Sequence, residues 1–305
     1  LKMISFEDGF MTSLEDTSIA IGLKKDNPDL EKMNEILSGI SQEERDAIMD
    51  HILSIQEEGQ NLGFFAEMKD IFLKNKEGFL RGTGITILIS LIGTLIGLLI
   101  GMLIGIVKTV PQVNHNLGNI LLSLVKGILN IYVQVLRGTP MIVQSMLLYF
   151  GLLQFAGIDL KPLTAAFIVV SINTGAYMAE VVRGGINSID KGQFEACQAL
   201  GMGHFQTMRY VVLPQAFKNI IPSVGNEFIV NIKDTSVLNV ISVSELFFTT
   251  KSIAGANLKY FETYLITSAI YLILTLSIAG LLHLLERKLR GSDSYEKSNV
   301  FKSAN

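Results

Sequence analysis

The chain has 305 residues; 49% are hydrophobic and only 17% are charged, against about 25% charged in soluble domains. With a mean hydropathy of +0.42, this composition points to a membrane protein. The lone Cys197 excludes an intrachain disulfide, and His51, His115, His204 and His283 show no metal-ligand spacing. The net charge of −3 hides an asymmetry: residues 1–60 carry 14 acidic and 5 basic side chains, the remainder 14 and 20. An acidic soluble segment therefore precedes a mildly basic membrane segment. No basic run with interleaved aromatics points to nucleic acid.

The sequence starts at Leu1, without an apolar signal-peptide core nearby, and is read as a fragment of a longer protein or a trimmed form. Asn27-Pro28 can cap and start a helix, with Asp29 and Glu31 in its first turn. Leu30, Met33, Leu37 and Ile40 then share a face. Ser41-Gln42-Glu43-Glu44 has the pattern of a capping box for a second helix, with Ile48, Ile52 and Ile55 on one side. Two short helices bury little surface alone, so residues 1–60 are expected to belong to a larger soluble domain. The run IAIGLKKDNPDLEKMNEIL, over 19–37, resembles the closing segment of extracytoplasmic amino-acid-binding proteins. That resemblance implies a fused receptor domain, mostly missing here and unable to bind substrate. An unrelated acidic linker or helical hairpin stays open as the other reading.

Residues 61–80, rich in Phe, Lys and Ile, suit a separate interfacial helix. The first span is expected over about 84–107, which has no charge and matches the ~20 residues needed to cross a bilayer. Gly93, Gly97, Gly101 and Gly105 recur every four residues, so they fall near one stripe. Helix packing is the expected meaning of that stripe, and a substrate groove the lesser one. Residues 117–157 are too long for one span and break at LRGTP (136–140), because Gly138 and Pro140 both oppose a helix interior. An amphipathic segment is expected first, then a span near 141–156. Further spans are expected near 162–182, 215–232 and 262–285, with a soluble tail over 291–305.

Five spans put the two ends on opposite sides. Lys108, Lys191, Arg209, Lys218 and the cluster Arg287, Lys288, Arg290 would then be cytoplasmic, as the positive-inside rule prefers. Lys74, Lys76 and Arg81 oppose that assignment.

The polar stretch EACQALGMGHFQTMRYVVLP, at 195–214, stands out between apolar segments. Glu195, Ala196, Ala199 and Leu200 suit a short helix. Gly201 can end it in a left-handed turn. Hydrophobic residues resume up to Leu213-Pro214, where the proline can start the next helix. This run resembles the loop by which permease subunits of ATP-binding-cassette importers engage their ATPase. The family pattern is Glu-Ala-Ala, a glycine, nine residues, a β-branched residue and Leu-Pro. Cys197 stands where that family has its second alanine. LRGTPMIVQ (136–144) and Lys233-Asp234-Thr235-Ser236 resemble motifs of the polar-amino-acid branch, which transports glutamine, glutamate, histidine and arginine.

The resemblance covers about residues 80–290. It implies an all-α membrane protein, the type I importer transmembrane domain, with a coupling loop at 186–214. It also implies a bacterial cell-membrane location, the N-terminus outside and the C-terminus cytoplasmic. The implied partners are two ATPase subunits, a second permease subunit and an extracytoplasmic amino-acid-binding domain. No cofactor is expected on this chain, since it lacks a GxxxxGK[ST] loop and any nucleophile–base arrangement. ATP and Mg belong to the partner ATPase, whose closure would tilt the spans through Glu195, Ala196, Ala199, Gly201, Leu213 and Pro214.

Intramembrane charges are costly and mark candidate sites. Asn173, Tyr177 and Glu180 are spaced i, i+4, i+7 on one helix face, with Arg183 three further on. They either face substrate or include a structural Glu180–Arg183 pair. Lys233 and Asp234 are adjacent ions at the end of a span. An amino acid zwitterion needs a cation for its carboxylate and an anion for its ammonium group, which this pair could supply; a mutually neutralising interfacial pair is the plainer alternative. Glu262 opens the last span and could reach the same cavity. Two rival functions stay open: a permease for another solute such as methionine or a peptide, and a membrane scaffold or sensor.

Overall fold

The computed structural model describes residues 39–41, 43–44, 46–48, 63–111 and 117–302. They belong to two compact units, Leu1–Gly63 and Phe64–Asn305. In the first unit the capping box forms. The Ser41 N–H donates to Glu44 Oε2 at 2.8 Å, and the Glu44 N–H donates to Ser41 Oγ at 3.2 Å. The Ser41 backbone N–H, with its hydroxyl, holds the Glu44 carboxyl below its ordinary range. The receptor-like stretch at 19–37 lies outside the described residues.

The second unit is a set of helices, without strands among the described residues. They are α1 (Phe64–Thr109), α2 (Leu117–Gly138), α3 (Met141–Ala156), α4 (Pro162–Asn187), α5 (Lys191–Ala199) and α6 (His204–Thr207). A π-helical turn, Met208–Val212, leads into α7 (Leu213–Asp234), and a 3₁₀ turn, Thr235–Ile241, follows it. The last two are α8 (Leu246–Asn257) and α9 (Tyr260–Lys302).

α1 corrects one expectation. From Phe64 on, the junction is not a separate interfacial element: it continues into the first span as a single helix of 46 residues. Its length, about 69 Å at 1.5 Å per residue, exceeds the ~30 Å hydrocarbon core. Glycine does not break it, because this part of α1 is held by packing. A Cβ on Gly82 would sit 2.9 Å from Leu246 Cα, and Ile71 and Phe79 share a buried cluster with Leu246 and Ile266. At the other end of the chain, α9 likewise runs on past residue 290 to Lys302.

α4 is the central helix. Ala165, Ala166, Val170, Ala176, Met178 and Ala179 on it are fully buried. α1 lies along it in the same direction, and the glycine stripe is the contact. Gly93 faces Val170, Gly97 faces Thr174, Gly101 faces Met178 and Gly105 faces Val182. A Cβ on Gly101 would lie 2.3 Å from Met178 Cβ and 2.7 Å from its carbonyl carbon. The stripe is therefore a packing surface, not a groove. Beside it, buried Asn231 of α7 donates to Thr94 Oγ1 at 2.8 Å and Thr174 Oγ1 at 3.0 Å. Such interhelical bonds join three helices where lipid gives no hydrophobic drive to associate.

The break at 136–140 forms, but the pieces differ from expectation. α2 is amphipathic and also long and apolar enough to cross a membrane, whereas α3 has 16 residues, about 24 Å. The two follow one another backwards along α4. Val133 packs with Ala179, Gln144 bonds Asn173, and Leu148 joins the cluster around Val169 and Val170. Both therefore pack against α4, and α2 is itself a candidate span. Four described helices are long and apolar enough to cross a membrane, five if residues 204–241 and 246–257 form one bent span.

Substitution of Gly101 by Ala should overpack this seam and cost about 1–3 kcal/mol, read as a lower Tm of the detergent-purified protein. Gly84→Ala, where an added Cβ meets nothing within 4 Å, should leave Tm near that of the parent.

Candidate functional site

A cavity of about 480 Å³ opens where the ends of α1 and α2 meet α4, within the range of small-molecule sites. Its polar lining is Lys108, Asn130, Gln134, Arg137, Tyr177 and Glu180. Two of these, Tyr177 and Glu180, are on the α4 face singled out in the sequence. Glu180 takes both ion pairs available to it: Lys108 Nζ lies 2.5 Å from Oε1, and Arg183 Nη2 lies 2.7 Å from Oε2. The structural Glu180–Arg183 pair therefore forms, strengthened by a cation from α1 that sequence spacing could not reveal. Two cations on one carboxylate leave this corner with a formal charge of +1.

Arg137 projects from the last turn of α2. Its guanidinium carbon lies 5.4 Å from the centroid of the Tyr177 ring, a cation–π distance. Among the described residues no carboxylate oxygen is within 4 Å of it. Glu227 of α7 feels both Arg137 and Asp234 electrostatically. Arg137 and Glu227 were not picked out from sequence. Arg137 sits inside LRGTP, where the breaker residues drew attention. Glu227 lies seven residues before Asp234 on α7, a spacing that sets both toward one face; only the fold brings Arg137 near.

The other candidates are placed as follows. Asn173 is buried, and its amide donates to Gln144 Oε1 at 2.9 Å. Lys233 and Asp234 end α7 and are both exposed, with an electrostatic attraction between them. Glu262 is half-buried in the first turn of α9 and is not among the residues lining the cavity.

The coupling stretch folds largely as its sequence suggests. Asp190 caps α5, accepting from the Gly192 N–H at 2.7 Å. Glu195, Ala196 and Ala199 are exposed on α5, while Cys197 is buried beneath. Gly201 takes φ +73°, and the Met202 N–H closes the helix on Cys197 O at 2.9 Å. Leu200 is 79% exposed, Phe205 72% and Tyr210 66%, an apolar surface with no cover among the described residues. Pro214 stands in the first turn of α7, as expected, and the π turn joins that helix to α6 without a break. Proline has no N–H to place in the disturbed ladder, and Gln215 Nε2 donates to the Val211 carbonyl at 2.9 Å.

The sequence profile of the binding-protein-dependent transport system inner membrane components matches residues 97–291. The chain belongs to that family. It is 42% identical over 161 residues to the glutamine transport system permease protein GlnP of Escherichia coli K12, covering 52% of this chain and 74% of GlnP. It is 39% identical over 166 residues to the arginine transport system permease protein ArtQ of Bacillus subtilis, covering 54% and 76%. The crystal structure of an amino acid ABC transporter with histidines superposes with a TM-score of 0.65 at 37% identity, covering 75% of this chain and 99% of that one. The MetNI methionine transporter, at 19% identity and a TM-score of 0.57 over 69% of this chain and 95% of that one, shares the fold. The chain is thus a multi-pass permease subunit of an amino-acid ABC importer, in the type I importer fold.

Glu180→Gln should leave Lys108 and Arg183 without their shared carboxylate and lower stability by about 2 kcal/mol, measured as a fall in Tm. Adding Lys108→Met to the same chain should recover part of that loss.

Proposed function

We propose that this permease imports a polar amino acid, glutamine or a close relative, and that it recognises the zwitterion at the Arg137 cavity. The observation that carries this is the Arg137 guanidinium, held against Tyr177 with no carboxylate oxygen within 4 Å among the described residues, and in electrostatic range of Glu227, which in turn feels Asp234. Arg137 offers a planar fork for the α-carboxylate. Glu227 and Asp234 offer acceptors for the α-ammonium group, as charge-assisted hydrogen bonds. Lys233 is the second cation at that end. Glu180 sets the wall of the cavity and is already saturated by two cations, so Tyr177 and Asn173 contribute shape more than charge. The glutamine and arginine permeases among the relatives support an amino acid as substrate.

Transport is driven from outside this chain. A partner ATPase, holding ATP and Mg, docks on the exposed surface of α5 and α6, with Glu195, Ala196 and Ala199 facing it. Gly201 sets the turn, and the continuous helix through Leu213 and Pro214 carries the movement toward Glu227 and Asp234. A second permease subunit completes the pathway, and an extracytoplasmic amino-acid-binding domain delivers substrate. The N-terminus is outside and the C-terminus cytoplasmic.

The test is substrate-stimulated ATP hydrolysis in liposomes holding this chain, its ATPase and an intact receptor, screened over twenty amino acids. One polar amino acid should stimulate, and Arg137→Gln or Asp234→Asn should raise its apparent KM by about tenfold or more, as loss of a charged hydrogen bond implies. Stimulation unchanged in both variants would move the site elsewhere, and no stimulation by any amino acid would overturn the reading. Separately, Gly201→Pro should uncouple the pair, because proline cannot take φ +73°. Copurification of the ATPase with the variant reads this out.

A further inference from the structure

The break between α2 and α3 leaves backbone carbonyls that no helix satisfies, in a region of the chain that crosses a membrane. One side chain answers two of them. Gln144 Nε2 lies 2.8 Å from Leu136 O, 2.9 Å from Thr139 O and 2.9 Å from Thr139 Oγ1. Thr139 Oγ1 in turn donates to Val135 O at 2.8 Å. The other end of the amide, Gln144 Oε1, accepts from buried Asn173 on α4 at 2.9 Å. Every polar atom of Gln144 is therefore used, and none points into the polar cavity.

The arrangement has two faces. Leu136, Thr139 and Gln144 line an apolar cavity on one side of the last α2 turn. Gln134, Arg137 and Gly138 line the polar cavity on the other. Gln144 grips this turn from behind, and Arg137 leaves it at the front. With Gly138 and Pro140 interrupting the helix, the turn has few constraints of its own. The bond to Asn173 ties it to α4, the helix that carries Tyr177 one turn further on.

We infer that Gln144 is a positioning residue: clamped between the broken α2 end and Asn173, it fixes the turn that holds Arg137 over Tyr177. It touches no substrate and acts through Arg137. This inference rests on the proposed amino-acid site.

The test is a double-mutant cycle in the reconstituted complex with ATPase and receptor, measuring substrate-stimulated hydrolysis with the amino acid found in the screen. Gln144→Leu removes both ends of the clamp. Gln144→Glu keeps its shape but cannot donate to the carbonyls. Each should raise apparent KM by about tenfold, the worth of one buried hydrogen-bonding network, with the effect on KM rather than kcat. The double variant Gln144→Leu with Arg137→Gln should be no worse than Arg137→Gln alone, since neighbours acting as a unit are non-additive. If Gln144→Leu does not assemble, Gln144→Glu carries the same comparison. Wild-type KM in both Gln144 variants, additive losses in the double variant, or failure of both to assemble would overturn the positioning role. Arg137→Gln with wild-type KM would instead overturn the site itself, and this inference with it.

Discussion

The structure depends on how closely α1 can approach α4. Lipid chains are as apolar as leucine, so burial gives no drive for helices to associate in a bilayer. What remains is dispersion at short range and hydrogen bonds that lipid cannot offer. Gly93, Gly97, Gly101 and Gly105 let the α1 backbone meet the side chains of Val170, Thr174, Met178 and Val182 directly. Asn231, Thr94 and Thr174 add the polar bonds that bring α7 against the same pair. With this seam set, the end of α1 carries Lys108 to Glu180, and α2 is left to close the cavity from the other side.

The second constraint is the accounting of backbone polar groups. Within a membrane each unsatisfied carbonyl costs several kcal/mol, so a break in a helix persists only where protein groups repair it. Here Gln144 and Thr139 repair the break at Gly138–Pro140. The same break allows a charged side chain, Arg137, to project sideways into a cavity rather than toward lipid. Asn130, Gln134 and Arg137 share one face of α2 by their i, i+4, i+7 spacing and line the polar cavity, while apolar Val135 and Leu136 lie on the other side.

The third feature is continuity between the two ends of the molecule's function. Residues 204–241 run as one helical path, with a π turn at Met208–Val212 and a 3₁₀ turn at Thr235–Ile241. Pro214 and Pro222 each remove a ladder bond within it. The exposed apolar surface of Phe205 and Tyr210 lies at one end and Glu227 and Asp234 lie toward the other.

The sequence by itself determined the class, the helix and glycine turn at 195–201, the glycine seam and the break. Each is written locally: apolar length, a glycine followed at fixed distance by Leu-Pro, a four-residue glycine repeat, a Gly and a Pro two positions apart. Local patterns set local structure because helix propensity, capping and backbone freedom act within a turn or two. The capping box at Ser41 and the turn at Gly201 are of that kind, and so is the pair Glu180–Arg183, three residues apart on one helix. Only the tertiary structure decided which charges meet. Lys108 is 72 residues from Glu180, and Gln144 is 29 from Asn173, so no periodicity links them. It likewise decided that residues 64–80 extend the first helix, because packing against Leu246 outweighed the local cost of glycine. The polar site was therefore half legible: the α4 face could be read from spacing, but Arg137 and Glu227 acquire a role only once packing sets them opposite each other.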